Sequence, residues 1–156
     1  MIDVVDQKTR SRMMSDIRGK DTRLEMLVRS GLHRLGFRFR LHARNLPGKP
    51  DLVLRKHSAV VFVHGCYWHR HEGCRYATTP ATRPEFWQEK FKANVERDRR
   101  HQAMLRKAGW RVFVVWECAL RRDPVEAVEN LVSVLRCEEC TSTTIDWPVL
   151  AHFAQL

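Results

Sequence analysis

The sequence predicts a mixed α/β (α+β) domain in which helices flank a sheet. Its periodic segments follow the order helix, three short strands, long helix, buried strand and last helix, an alternation typical of a sheet covered by helices. A length of 156 residues is usual for one domain, and a hydrophobic content of 44% is enough for one core. No internal repeat is visible. We therefore expect a single domain over residues 1–156.

The first helix and the first strand are marked by their boundary residues. Thr22 and Glu25 have the spacing of a capping box. Apolar residues then recur at helical spacing, and Gly36 stands where the helix would end. The segment Phe37–Leu41 alternates apolar and basic residues, as a half-buried strand does.

Two more short strands and an irregular insertion follow. Turn-forming residues at 45–50 precede the predicted strands Asp51–Leu54 and Ala59–Val63. Residues 64–84 combine His, Cys, Gly, Pro and aromatic residues without periodicity. We expect these residues to form an irregular insertion.

The second half contains a long helix, a central strand and a last helix. Residues 82–85, with a Pro in the first turn, are typical of a helix start, and Gly109 stops this helix after about Ala108. The strand at 111–116 is apolar enough to be buried on both faces. Residues 124–136 form the last helix.

The charge is asymmetric and favours a polyanionic partner. Lys and Arg number 28 against 18 Asp and Glu, which gives a net charge of +10. Residues 1–122 carry 27 basic and 12 acidic side chains, whereas residues 123–156, the last helix and an acidic tail, carry 1 and 6. A basic body of this kind is typical of nucleic-acid binding, although some basic proteins are merely soluble.

Membrane insertion and secretion are not expected. The longest apolar runs, Ala59–Val63 and Val112–Trp116, are far too short to span a bilayer. The segment Met1–Met14 is polar and charged, unlike a signal peptide. We expect a cytoplasmic protein.

Four cysteine and histidine residues could close a zinc site. Cys66, His71 and Cys74 lie within nine residues, and Cys118 follows the buried strand. Thiolate and imidazole are the ligands that Zn²⁺ prefers, and four of them close a tetrahedral structural site. Such a site would order residues 64–84 and tie them to the sheet.

Two alternatives to this zinc site remain open. Cys66 and Cys118 could be small buried core residues. A competing site could use Cys137 and Cys140, which form a Cys-x-x-Cys pair in a Glu-rich segment. The odd number of cysteines, five, argues against a disulfide framework.

A second set of residues has the types that phosphodiester hydrolysis requires. Asp51 opens one strand, His64 ends the next strand, His69 follows in the insertion, and Glu25 lies on the first helix. Such chemistry needs carboxylate oxygen for a hard cation, a base for water, and positive charge near the leaving oxygen. Alternatively, Glu25 only caps its helix, Asp51 only starts a turn, and the histidines are spare zinc ligands or exposed loop residues.

Several segments together resemble a known family. Residues 46–53 (LPGKPDLV) resemble the metal-binding opening of PD-(D/E)xK nucleases. With residues 61–69 (VFVHGCYWH), they closely resemble the very-short-patch-repair (Vsr) mismatch endonucleases. The match extends through residues 80–87, 94–100 and 109–118 and to the start at 8–12. It covers most of the chain, whereas the C-terminal residues match weakly.

The resemblance implies a restriction-endonuclease-like mixed sheet with a zinc-stapled loop insertion. It also implies a Mg²⁺-dependent nick 5′ to the thymine of a T·G mismatch, in very short patch repair of deaminated 5-methylcytosine. Asp51 would bind Mg²⁺, with the backbone carbonyl of Val63 as a second ligand. His69 would activate water with support from Glu25, and His64 would assist at the phosphate. Structural Zn²⁺ would take the four ligands proposed above.

The resemblance further implies how DNA is held. Tyr67, Trp68 and Trp87 match positions that wedge into the base stack beside the mismatch, where unstacking is cheapest; alternatively, the tryptophans are core residues. Further DNA contacts would come from an N-terminal arm at residues 1–20 and from three residues of the long helix: Asn94, Arg97 and Arg100. The expected partners are double-stranded DNA with a T·G mismatch and mismatch-repair proteins. Nicking one strand requires only a monomer.

Three departures from the family pattern stand out. Val63 stands where Thr is common, which is tolerable if only its carbonyl binds metal. Tyr67 replaces a Phe-like wedge and keeps its planar face. The pair Glu72 and Gly73 lengthens the zinc loop by one residue. In addition, His64 stands where the superfamily has a Lys, so we expect it to take the cationic role.

Two competing functions would use the same features. A non-catalytic, zinc-stabilised DNA-binding module would use the basic face and the aromatic residues, but it would not need Asp51 beside two histidines. A restriction endonuclease of the same fold would cut both strands and would not need an aromatic wedge.

Overall fold

The fold is a five-stranded mixed sheet with helices on both faces. The computed structural model describes residues 21–140 and 142–145, together with residues 6, 8, 9 and 12. The predicted N-terminal arm and the end of the acidic tail therefore lie largely outside the described residues. Within the described part of the chain, no helix is long and apolar enough to cross a membrane.

The strands lie side by side in chain order. They are β1 (Arg40–Leu41), β2 (Leu52–Leu54), β3 (Ala59–His64), β4 (Arg111–Trp116) and β5 (Ser142–Ile145). Strands β1, β2 and β3 pair antiparallel, whereas β3 with β4 and β4 with β5 pair parallel. Because parallel strands need a long crossover connection, the chain between β3 and β4 accommodates both the insertion and the long helix.

The helices are α1 (Arg23–Arg34), α2 (Pro84–Lys107), α3 (Glu117–Arg122) and α4 (Pro124–Arg136). Alternating residues of the central strands point to two separate cores. Val61 and Phe113 pack in the core beneath α1, α3 and α4. Val60 and Val112 pack in a smaller core with Leu105 of α2. Burial on both faces explains why β4 is apolar along nearly its whole length.

The predicted element order is confirmed as far as α4, with three local differences, and β5 is an additional strand. The strand predicted at Phe37–Leu41 is only β1, because the N–H of Phe37 donates to Leu32 O and extends the end of α1. The N-cap of α2 is Arg83, with φ of 54° and no side-chain cap, so residues 82–85 start the helix without a capping box. Asp123 caps α4 by accepting two backbone N–H groups, and the short helix α3 precedes it.

Candidate active site

A cavity of about 730 Å³ opens at one end of the sheet, where β2 begins and β3 ends. The turn before β2 closes one side, because Gly48 packs against His101 of α2; an added Cβ would lie 3.0 Å from the His101 side chain. Gly48 also has φ of +72°, which favours glycine. Six residues predicted for catalysis, metal binding or DNA contact line this cavity: Glu25, Asp51, Val63, His64, Trp68 and His69.

Asp51 lies beside the end of β3, because Leu52 pairs with Val61 in the antiparallel register. The backbone N–H of Val63 donates to Asp51 Oδ2 at 2.7 Å. Within the described residues, the second carboxylate oxygen accepts no hydrogen bond. Burial raises the pKa of Asp51 to about 6. The hydrogen bond from the Val63 N–H lowers this pKa, and the negative charge of Glu25 raises it further. A half-buried carboxylate with an unbonded oxygen suits a hard cation.

His69 is held by Asp98, a residue of α2 that the sequence analysis did not select. His69 Nδ1 lies 2.5 Å from Asp98 Oδ2. Because the carboxylate accepts a hydrogen bond from Nδ1, the neutral ring keeps its lone pair on Nε2. Burial raises the pKa of Asp98, but the hydrogen bond to His69 and the charge of that ring outweigh it and hold the pKa below its ordinary value. The pair has the geometry of a general base and its orienting carboxylate.

His64 packs against His69 with ring centroids 3.8 Å apart and 9° between the ring planes. The Trp116 ring also contacts it, edge-on with centroids 5.2 Å apart. Burial, with the nearby His69, lowers the pKa of His64 to about 3. This burial disfavours a charge on His64, because its position beneath the insertion excludes the water that would solvate one; the cationic role expected for His64 stays a prediction.

Glu25 lies in the same cavity but is engaged elsewhere. It completes the predicted capping box with Thr22, and its Oε2 accepts a hydrogen bond from Arg29 at 2.7 Å. Arg29 also pairs with Asp21 and lies 2.9 Å from His42 Nε2. Its guanidinium therefore occupies the centre of an acidic cluster. Asp98 is the carboxylate in contact with His69, whereas Glu25 bonds to Arg29; the support of His69 by Glu25 stays a prediction.

The four predicted zinc ligands come together at the other side of the insertion. Ligand atoms of Cys66, His71, Cys74 and Cys118 all lie within 4.8 Å of one another. His71 Nδ1 is 3.8 Å from Cys66 Sγ and 3.4 Å from Cys118 Sγ. Tetrahedral Zn²⁺ with ordinary bond lengths would separate sulfur and nitrogen ligands by about 3.6 Å. The donor types and spacing therefore fit this ion.

Burial reinforces this fit. Cys66 and Cys118 are both buried, and burial raises the pKa of the Cys66 thiol. A buried thiolate needs a cation beside it, which a metal ion would supply. The cluster is anchored to the sheet, since His71 stacks on Trp116 of β4 at 4.4 Å and 16°. Cys137 and Cys140 belong to no cluster of three or more candidate ligands among the described residues.

An aromatic cluster covers the junction between the insertion and α2. Tyr67 contacts Trp68, Trp87 and Phe91, with centroids 5.0, 6.3 and 5.1 Å away. Neither tryptophan belongs to the two cores. Lys90 Nζ lies 5.5 Å from the Trp68 ring centroid and 5.3 Å from that of Trp87, a cation–π arrangement. The cluster thus offers planar apolar rings and a positive charge beside the cavity.

The three polar residues predicted to contact DNA differ in their surroundings. Asn94 donates from Nδ2 to the backbone oxygen of Trp68 at 3.2 Å, so its amide supports the insertion. Arg97 donates to Asn94 Oδ1 at 2.9 Å and remains exposed. Arg100 is exposed further along α2.

Asp98 carries a sequence signal that could have identified it. Phe91 is buried in α2, and residues three and seven positions later lie on the same helix face. Those residues are Asn94 and Asp98, both half-buried and both bonded to the insertion. A lone carboxylate that continues a buried stripe within a basic segment indicates an internal partner.

Comparison with known proteins places this geometry in a family. A family model described as DNA mismatch endonuclease Vsr matches residues 2–75. The DNA mismatch endonuclease Vsr of Escherichia coli strain K12 is 46% identical over 149 residues, or 94% of this chain and 95% of the relative. The type II nicking enzyme V.XorIIP of Xanthomonas oryzae pv. oryzae is 48% identical over 77% of this chain and 88% of the relative. V.NmeAIP of Neisseria meningitidis, also a type II nicking enzyme, is 40% identical over 87% of this chain and 98% of the relative. The chain belongs to the family of Vsr DNA mismatch endonucleases.

Proposed function

We propose that this protein is a Mg²⁺-dependent endonuclease that nicks duplex DNA 5′ to the thymine of a T·G mismatch. The relatives are named for mismatch cleavage and for nicking. One observation carries the proposal: Asp51 and the His69–Asp98 pair meet in one cavity, beside half-buried aromatic rings. A DNA-binding module without activity would have no need for this arrangement.

The chemistry requires a base, a cation site and a fixed geometry. Asp51 and the carbonyl of Val63 would hold Mg²⁺, which when bound would stabilise negative charge on the phosphate. His69 Nε2 would take the proton of the attacking water, while Asp98 stabilises the ring that becomes charged. The water oxygen bonds to phosphorus as the bond to the leaving oxygen breaks. Neutral His64 packs against His69 and can donate an N–H to a phosphate oxygen.

The remaining architecture would serve this reaction. We assign a restriction-endonuclease-like fold to the sheet, and structural Zn²⁺ to Cys66, His71, Cys74 and Cys118. The zinc would fix residues 64–84, which carry His69 and the aromatic residues. Residues 1–156 would form one nuclease domain, with residues 1–20 as a DNA-contacting arm and residues 123–156 as the last helix and acidic tail. It would act as a cytoplasmic monomer, with mismatch-repair proteins as further partners.

The DNA would be held at the aromatic cluster. Tyr67, Trp68 and Trp87 present flat rings that could enter an unstacked step, and a mispaired step is easier to unstack than a matched one. Lys90 lies against two of these rings and would contribute charge for a nearby phosphate. Mismatch selectivity would thus arise from deformation as well as from base contacts.

A strand-resolved cleavage assay tests the proposal. Duplexes with and without one T·G mismatch are incubated with the wild type and with Asp51→Ala, in Mg²⁺ and in EDTA. We expect a Mg²⁺-dependent nick in the T strand alone, and an Asp51→Ala variant that still binds but does not nick. Binding without cleavage by the wild type would indicate the DNA-binding module. Cleavage of both strands of matched DNA would indicate a restriction endonuclease.

A further inference from the structure

The Cys-x-x-Cys pair lies between α4 and β5, separate from the cavity and from the candidate zinc ligands. Cys137 is the C-cap residue of α4, and Cys140 packs against the main core. Both side chains are half-buried, so reagents can reach them. Neither the proposed nuclease reaction nor the zinc site uses either thiol.

Arg111 fixes the backbone on which both cysteines stand. From the start of β4, its guanidinium donates to the carbonyl oxygen of Cys137 at 2.5 Å and to that of Cys140 at 2.8 Å. It also donates to the oxygens of Val134 and Leu135 at the end of α4. One rigid cation therefore holds both ends of the four-residue loop, and the two cysteines keep a fixed separation.

The two thiols are not equivalent. Hydrogen bonding from the Cys140 side chain, and from the backbone of Cys140 and Glu139, holds the pKa of Cys137 below its ordinary value. The Cys140 thiol, as the donor of the pair, has a raised pKa. Cys137 is thus the nucleophile of the pair, and Cys140 is the nearby resolving thiol.

We propose that Cys137 and Cys140 form a reversible dithiol–disulfide pair that reacts with low-molecular-weight disulfides such as oxidised glutathione. The Cys137 thiolate attacks one sulfur of the reagent, forming a mixed disulfide and releasing one glutathione thiolate. Deprotonated Cys140 then attacks Cys137 Sγ, forms the Cys137–Cys140 disulfide and releases the second glutathione. Two protein thiols are oxidised, and one reagent disulfide is reduced to two thiols.

A metal at this pair is less well supported. Structural Zn²⁺ takes four ligands, whereas the described residues supply only these two thiols there. The guanidinium of Arg111, which binds the carbonyl oxygens of both cysteines, would also oppose a bound cation. The internal disulfide, by contrast, requires only the two sulfur atoms of the loop whose backbone Arg111 holds.

The test uses the purified, zinc-loaded full-length chain and oxidised glutathione. Intact-mass analysis and peptide mapping follow the thiols, with Cys137→Ser, Cys140→Ser and the double variant in parallel. We expect the wild type to lose two hydrogen atoms, with the new disulfide joining residues 137 and 140. Cys140→Ser should retain one glutathionyl group on Cys137, because no resolving thiol remains. Cys137→Ser should react several-fold more slowly, and the double variant should not react.

Two further readouts, the melting temperature and the number of bound zinc ions, make the outcome decisive. Oxidised wild type should melt a few degrees higher than reduced wild type, since the disulfide closes a loop in the unfolded chain, and the double variant should show no such difference. The proposal is overturned if thiols 137 and 140 stay reduced, if Cys140→Ser keeps no glutathione, or if the disulfide maps to Cys66, Cys74 or Cys118. A second zinc ion held by the pair would also overturn it. None of these measurements depends on nicking.

Discussion

Replacing Asp98 by Asn should slow nicking without weakening DNA binding. The substitution keeps the shape of the side chain but removes the charge that lies 2.5 Å from His69 Nδ1. An amide can present either its oxygen or its NH₂ group, so the ring would no longer be fixed with its lone pair on Nε2. The amide also stabilises a protonated His69 less well than a carboxylate does.

The size of the effect follows from the hydrogen bond that is lost. Side-chain exposures of 28% for His69 and 18% for Asp98 indicate only partial screening by solvent. A hydrogen bond to a charged group contributes about 1.5–3 kcal/mol. If this contribution is lost only from the transition state, the chemical step becomes roughly 10- to 150-fold slower.

The assay is single-turnover nicking of a T·G duplex with saturating enzyme, combined with binding measured in EDTA. Glu96→Gln is the matched control, because it removes one negative charge from an exposed position on the same helix. Asp98→Glu should recover part of the rate, since it restores a carboxylate. The reasoning fails if Asp98→Asn nicks as fast as Glu96→Gln. A loss of binding equal to the loss of rate would instead make Asp98 a structural support for the insertion.

Three further predictions follow from the site. Cys66→Ala should release zinc and lower the stability by several kcal/mol, measured by elemental analysis and thermal melting, whereas Cys137→Ala should keep the metal; retained zinc in Cys66→Ala would contradict the ligand set. Trp87→Ala should weaken binding to mismatched duplex by about 1–3 kcal/mol, the range for aromatic stacking on a base, and should affect matched duplex less. An equal loss on both duplexes would exclude a wedge. Binding should weaken steeply with salt, because the basic body displaces counterions from phosphates. A binding affinity that does not change with salt concentration would exclude phosphate contacts as the main source of DNA binding.

The sequence predicts elements whose signals are local. The capping box at Thr22 and Glu25 and the apolar run of β4 correspond to observed elements, because hydrogen bonding and burial act there over a few residues. Strand Phe37–Leu41 was predicted too long, since alternation cannot reveal that Phe37 bonds back to Leu32. Strand β5 was not predicted, because its pairing with β4 depends on contacts distant in sequence.

The candidate site was predicted in its residue types and less well in its pairings. Spacing groups Cys66, His71 and Cys74, and the predicted place of Cys118 directly after β4 is the one at which the structure brings it to them. Which carboxylate supports His69 depends on how α2 crosses the insertion, and no pattern within the insertion encodes that crossing. Asp98 was therefore missed. The burial of His64 likewise depends on residues that lie far from it in sequence.

The two functional clusters are mechanically connected through Trp116. Its ring stacks on His71 of the candidate zinc site and contacts His64 of the cavity edge-on. His64 and Trp116 are also register partners on adjacent parallel strands. Because His64 in turn stacks on His69, the candidate zinc ligand His71 and the proposed general base His69 are joined by a continuous series of packed rings. Loss of zinc should therefore displace His69 as well as loosen the insertion, and zinc removal should reduce the nicking rate even at temperatures where the fold persists.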